Sequence, residues 1–185
     1  MAKDNFEWNI NLGKLIEVDV EDIWGQSLIL ADWLSKKENI QVLGNEVGIE
    51  FTGNVTKQYY ANSFSLIAEN KDARKTMIHI LLDYSSHEYF GQVIYRVSKL
   101  QNISTIICLV KKARIEHKHT IRWLNKNIND ISFSLVEIHA YKINGSLPAL
   151  KFQVLERPNS FYSKLPPKEI SEEKEDIEGY KAFLA

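Results

Sequence analysis

The stretch from Thr76 to Tyr95 constrains this chain more than any other. Met77-Ile78-His79-Ile80-Leu81-Leu82-Asp83 reads as a buried strand. After Tyr84-Ser85-Ser86 the pattern changes to helical spacing from His87 to Lys99, with Phe90, Val93, Ile94 and Val97 on one side. Ser85 or Ser86 supplies the helix cap. Ile103 to Val110 follows as a strand with almost no polar interruption, the pattern of a sheet centre covered on both faces. This order predicts an α/β layout.

The flanking segments extend it. From Val20 to about Leu43, apolar residues recur at Ile23, Trp24, Leu28, Leu30, Trp33 and Leu34, with Asp19 as N-cap and Asp22 three residues on. Lys36-Lys37-Glu38-Asn39 interrupts that pattern, which leaves two helices or one long one. Leu15, Ile16 and Val18 end a lead-in and begin the packing. Gly48 to Tyr60, Ser63 to Glu69 and Thr76 to Asp83 have strand character, and Asn70-Lys71-Asp72-Ala73-Arg74 joins the last two as an antiparallel hairpin. A helix from Ile115 to about Asn127 turns Ile121, Leu124 and Ile128 inward. Phe133 to Ile143 and Ala149 to Leu155 close a mixed sheet through Asn144-Gly145-Ser146-Leu147-Pro148.

With 185 residues, 44% of them hydrophobic and 25% charged, the chain can close one apolar core and is too apolar for global disorder. A net charge of -1 gives no overall pull toward nucleic acid, so such binding requires a local patch. The lone cysteine, Cys108, lies in a buried strand, which excludes a disulfide within one chain and fits a reducing compartment. Lys3, Asp4 and Glu7 have no apolar stretch behind them, and no apolar run approaches the ~20 residues of a spanning helix. The expectation is a cytoplasmic protein with no membrane partner. After Arg157-Pro158 the composition shifts: Pro166-Pro167 stops regular structure, and Glu169 to Glu178 is dominated by acid. Residues 1–162 are taken as the domain and 163–185 as a charged tail, whose end from Tyr180 to Leu184 is apolar enough to dock on the body.

Trp24, Trp33-Leu34, Gly91-Gln92 with Tyr95, Arg122-Trp123-Leu124-Asn125, Val136-Glu137-Ile138, and Phe152-Gln153-Val154 with Arg157-Pro158-Asn159 share an informative order and spacing. From about Leu12 to Tyr162 the chain resembles a bacterial branch of the PD-(D/E)XK, or restriction-endonuclease-like, nuclease superfamily. The resemblance implies a restriction-endonuclease-like core, a central mixed β-sheet flanked by α-helices. It also implies an aspartate on the second core strand, Glu-Asn-Gln on the third and His-Leu-Gly-Gln opening the next helix. Carried across from Gly91-Gln92, these fall on Ser65, on His79-Ile80-Leu81 and on Tyr89, with a helix-one glutamate near Ser27. Of the helix motif's polar groups only Gln92 is retained.

Nucleases of this type hold Mg²⁺ with carboxylates on adjacent strands, and the ion polarises phosphate and generates hydroxide. Ser65 has no charge to offer, Leu81 has neither donor nor acceptor, and the single imidazole of His79 is not a site. The expected catalytic set is empty and no cofactor is expected; Mg²⁺ enters only if carboxylates elsewhere rebuild a centre. Glu69 and Asp83 are poorly placed to do so, since a hairpin turning near Asp72 sets them more than ~10 Å apart.

Other signals have plain readings beside functional ones. Ser65 with His79 suggests a nucleophile and its base, but a third orienting group is unmarked and a hydrogen-bonded core pair explains both. His87-Glu88 with Asp83 straddles a strand-to-helix junction and reads better as a solvated helix N-terminus than as metal ligands. A thiol buried as Cys108 is inert. Lys111, Lys112, Arg114, Lys118 and Arg122 are the best candidates for nucleic-acid binding. Arg114, Lys118 and Arg122 line one helix face at four-residue intervals, with His117 and His119 nearby and Glu116 diluting the charge. The acidic tail either shields that stripe or mimics phosphate toward another protein.

The leading expectation is a catalytically degenerate nuclease relative, a pseudoenzyme that binds nucleic acid or a protein partner. Two alternatives stand beside it. One is an active metal-dependent nuclease with an unorthodox centre drawn from Glu69, Asp83, His79, His87 and Gln92; the other is a protein-interaction module, including a homo-oligomer.

Overall fold

The computed structural model describes residues 12–60 and 63–158, so the 163–185 tail and the lead-in before Leu12 lie outside the described residues. Twelve elements follow in order: β1 (Leu15–Val18), α1 (Val20–Trp24), α2 (Ser27–Leu34), α3 (Lys37–Val47), β2 (Phe51–Tyr60), β3 (Ser63–Asn70), β4 (Lys75–Tyr84), α4 (His87–Val97), β5 (Ile103–Lys112), α5 (Ile115–Asn127), β6 (Ser132–Ile143) and β7 (Ala149–Glu156).

The strands form one curled, mixed sheet in the order β1-β6-β5-β4-β3-β2, with β7 paired to β6. β2, β3 and β4 make an antiparallel meander, and α4 and α5 then carry the chain to β5 and β6, each parallel to its predecessor. In β6, residues 132–137 pair with β5, 140–143 with β1 and 135–141 with β7. β5 and β1 therefore share one edge of β6 end to end, and β7 takes the other.

Strand alternation explains the two cores. Ile78, Ile80 and Leu82 of β4, with Ile107 and Leu109 of β5, face Leu30, Leu34, Ile40 and Leu43 on α2 and α3. Met77, Ile106, Cys108 and Val110 point the other way, against Phe90 and Val93 of α4 and Ile121 and Leu124 of α5. Each such side chain, removed from water, contributes roughly 1.5–3 kcal/mol, which is why β4 and β5 read as nearly unbroken apolar runs. Local chemistry sets the helix starts. The Asp19 side chain accepts a hydrogen bond from the Glu21 amide at 2.9 Å, and Ser86 Oγ accepts from the Tyr89 amide at 3.1 Å.

The mixed α/β layout is as expected, with three differences. The stretch from Val20 is three helices rather than one or two, because Gly25 adopts φ 64° after α1 and Lys36 is extended before α3. β1 is a strand, completing the edge of β6. Ile94 is exposed; Tyr89 and Arg96 take the inner face of α4 with Phe90 and Val93. Among the described residues no helix is long and apolar enough to cross a membrane.

Candidate functional site

Ser65 of β3 and His79 of β4 stand opposite each other in the antiparallel ladder, and both side chains point toward α4. Arg96, in the last turn of α4, reaches back between them. Its Nη1 donates to Ser65 Oγ at 2.5 Å and lies 3.1 Å from His79 Nδ1, while Ser65 Oγ is 2.8 Å from that same Nδ1. Tyr89 closes the group: its ring stacks on the imidazole with centroids 4.8 Å apart, and its hydroxyl donates to the His79 carbonyl at 2.9 Å. Ser65, His79, Tyr89 and Arg96 are all buried.

The donors and acceptors fix the protonation state. A guanidinium only donates, so Ser65 Oγ accepts from Arg96 and passes its own hydrogen to His79 Nδ1. That assignment puts the imidazole proton on Nε2, a buried atom with no hydrogen-bond partner among the described residues. Burial, with Arg96 adding to it, holds the His79 pKa down to about 3. A base this weak does not activate a serine, and the pair is closed to solvent, so the nucleophilic reading of Ser65 and His79 fails on both counts.

The fit to a divalent cation is equally poor. Mg²⁺ requires hard oxygen ligands, preferably ionised. Here the implied carboxylate positions hold a hydroxyl and a neutral imidazole, with a permanent cation hydrogen-bonded to both. Leu81, two residues along β4, adds only hydrocarbon. Ser27 lies at the start of α2 and accepts a hydrogen bond from the Leu82 amide at 3.1 Å. Gln92 points to its own helix, donating to Glu88 at 3.3 Å. Glu69 pairs with Lys75 beside the turn, and Asp83, eight residues further along β4, caps the neighbouring Tyr84 amide; at 3.2–3.4 Å per residue the two are roughly 25 Å apart. Among the described residues no three histidine, cysteine, aspartate or glutamate side chains converge as metal ligands.

A second serine–histidine contact lies past the end of β4. Ser85 Oγ accepts from the Arg114 amide at 3.0 Å and meets His117 Nδ1 at 2.6 Å, and His117 Nε2 faces His87 Nδ1 at 3.3 Å. His117 is thus a buried link between β4 and α5 rather than part of a basic surface, and burial is the main cause lowering its pKa. Cys108 is fully buried opposite His79 on β5, with its thiol pushed up to about 12 by burial.

The basic stripe is largely occupied. Lys111 Nζ sits 2.9 Å from Asp19 and 3.3 Å from Glu21, Lys112 sits 3.4 Å from the buried Glu137, and Arg122 sits 2.5 Å from the buried Glu156. Arg114 is 4.0 Å from Glu116, a loose contact. Lys118 makes no ion pair among the described residues. What remains without an ion pair among the described residues on the outer face of α5 is Lys118 and Lys126, one turn to either side of the paired Arg122, beside His119 and a Trp123 that is 61% exposed. By the starts of β5 and β6, Val47, Ile49, Thr105, Ser132 and Ser134 line a cavity of about 120 Å³ with Arg157 and Pro158 at the end of the described chain.

Sequence reasoning missed Arg96, and it named Glu137 within the resemblance without a role. The signal for Arg96 was its place in the inward row Tyr89, Val93, Arg96, where a charged residue among core positions demands a partner. Fold and cluster together define a mixed α/β domain with a neutral serine–histidine pair clamped by a guanidinium. Comparison with family models, with curated proteins and with solved structures finds no match for this chain.

Proposed function

We propose that this chain is a catalytically degenerate relative of restriction-endonuclease-like nucleases that acts by binding. The observation that carries the reading is Arg96. Its guanidinium is bonded to Ser65 and His79, the two strand positions where the resemblance implies metal-binding carboxylates, so a fixed charge of the same sign stands against a divalent ion. The fold supports the ancestry: helices, an antiparallel meander of three strands, a crossover helix and a parallel strand follow one another as that core requires. The unorthodox active centre has little support, because Glu69 and Asp83 occupy opposite ends of the hairpin.

The binding face of this reading is the outer side of α5, and the ligand is single-stranded nucleic acid. Exposed Trp123 offers a stacking surface, and Lys118 and Lys126, either side of the Glu156-bound Arg122, track a phosphate backbone. The test pairs two assays. Incubation with DNA and RNA in Mg²⁺ or Mn²⁺ gives no cleavage, and a shift assay with single strands gives binding that weakens about sevenfold between roughly 50 and 200 mM salt, as two neutralised phosphates predict. Lys118→Glu with Lys126→Glu abolishes the shift; Arg122 is left intact because its partner, Glu156, is buried. Metal-dependent cleavage would overturn the degenerate reading, and absence of binding at low salt would overturn the nucleic-acid reading. A protein partner is the second reading, favoured by the exposed Ile94 and Tyr95 on α4, which lie beside a Gly91 with open space over it.

A further inference from the structure

We propose that the acidic segment 169–178 of this chain docks on the outer face of α5, where it occupies the cations and the exposed ring that a polyanion would use. Charge is the first argument. Glu169, Glu172, Glu173, Glu175, Asp176 and Glu178, against Lys174, give the segment -5 in a chain of -1, which leaves +4 on the rest. A tethered segment so unlike the body finds the body's unpaired cations before any free ligand does, because a short linker holds it at millimolar effective concentration.

The exit point is the second. β7 packs beside α5, and its last residue, Glu156, holds Arg122 at 2.5 Å. The described chain ends two residues later, at Pro158, which lines a cavity with Val47 and Ile49 while Arg157 donates to the Glu46 carbonyl at 2.9 Å, so it ends two residues beyond a contact with α5. Ten residues separate Pro158 from Glu169 and span up to ~35 Å when extended, more than the ~20 Å length of α5.

The receiving surface is the third. Lys118 and Lys126 make no ion pair among the described residues, whereas Lys111 and Lys112 already hold Asp19, Glu21 and Glu137. Ile115 and Trp123 are 62% and 61% exposed on the same face, matching the Ile170 and Ile177 that interrupt the acid run. Glu156 on Arg122 is the same type of contact, a carboxylate from the last strand on an α5 cation, and the acidic segment would repeat it one turn to either side. The inference does not depend on nucleic-acid binding, since the contact forms within the chain alone.

Zero-length carbodiimide cross-linking of the full chain, without nucleic acid, tests it. Peptide mass spectrometry should join Lys118 or Lys126 to carboxylates of 169–178, and a mixture of isotope-labelled and unlabelled chains should show the links forming within one chain. Their yield should fall about tenfold in 1 M salt, where screening acts over ~3 Å. Links mainly to lysines off α5, links mainly between chains, or no links from this segment would each overturn the inference, whatever the shift assay shows.

Discussion

The two serine–histidine contacts of this protein use the same pair of groups to different ends. Ser65 and His79 meet inside the sheet at 2.8 Å, and Ser85 and His117 meet past its edge at 2.6 Å. In the first, a guanidinium donates to the pair and the far ring nitrogen ends in the core without a partner. In the second, a backbone amide donates to the serine and the far nitrogen reaches an exposed histidine. The inner pair serves as acceptor for a buried cation; the outer pair ties the start of α5 to the end of β4. A hydroxyl beside an imidazole is therefore weak evidence for chemistry until the third partner is known.

The largest contrast should come from stranding the cation. His79→Leu with Ser65→Ala removes two acceptors of the buried Arg96 head group at once, a loss of about 2–4 kcal/mol. Arg96→Met is milder, since Ser65 and His79 remain bonded to each other. Combining all three changes should recover part of the loss, because the buried charge that the two acceptors served is gone as well. Denaturant unfolding of the four chains closes the cycle. If the triple variant is no more stable than the double, the cluster is not held together by the arginine.

Acid separates the pairs next. At pH above 6.5, His79 is neutral in the folded and unfolded chain alike, and its contribution to stability is complete. Below that, the unfolded chain takes up a proton that the folded one refuses until about pH 3, so stability falls as pH drops through this window. Between pH 6.5 and 4 the loss from this one group is about 3 kcal/mol, at 1.36 kcal/mol per unit. His117 acts in the same direction to a smaller extent. Unfolding free energy measured across that range should lose most of its slope in His79→Gln and little in His117→Gln; equal slopes in the two variants would erase the distinction drawn above.

The separation between legible and hidden features follows sequence distance. Asp19 and one of Ser85 and Ser86 as caps, the hairpin through Asn70, and strands over 103–110 and 133–143, within a residue or two of those observed, rest on neighbouring residues and on period, and both are visible in a single sequence. Arg96 is different: its place in the inward row Tyr89, Val93, Arg96 is a local sign of burial, but its acceptor Ser65 stands 31 residues earlier and nothing local identifies it. The basic stripe shows the same limit. The spacing of Arg114, Lys118 and Arg122 was legible, but the distant carboxylates that neutralise part of the stripe were not: Glu156 lies 34 residues from Arg122, and Asp19 lies 92 from Lys111. Charge counted along a helix overstates the charge its surface presents.

The smallest effect tests the outer pair. Ser85 is fully buried, and its Oγ is the only side-chain acceptor described for the Arg114 amide, one of the donors at the start of α5 that the helix itself cannot satisfy. Ser85→Ala leaves that amide and His117 Nδ1 without their partner, for a loss of about 1–2 kcal/mol. His87→Ala removes only the exposed end of the chain of contacts and should stay within about 0.5 kcal/mol. Thermal melts of the two variants, with amide exchange in the first turn of α5 as a local probe, would show faster exchange there for Ser85→Ala alone. A loss for Ser85→Ala as large as that from stranding Arg96 would mean that the edge of the sheet, rather than the guanidinium within it, is where this fold concentrates its polar stability.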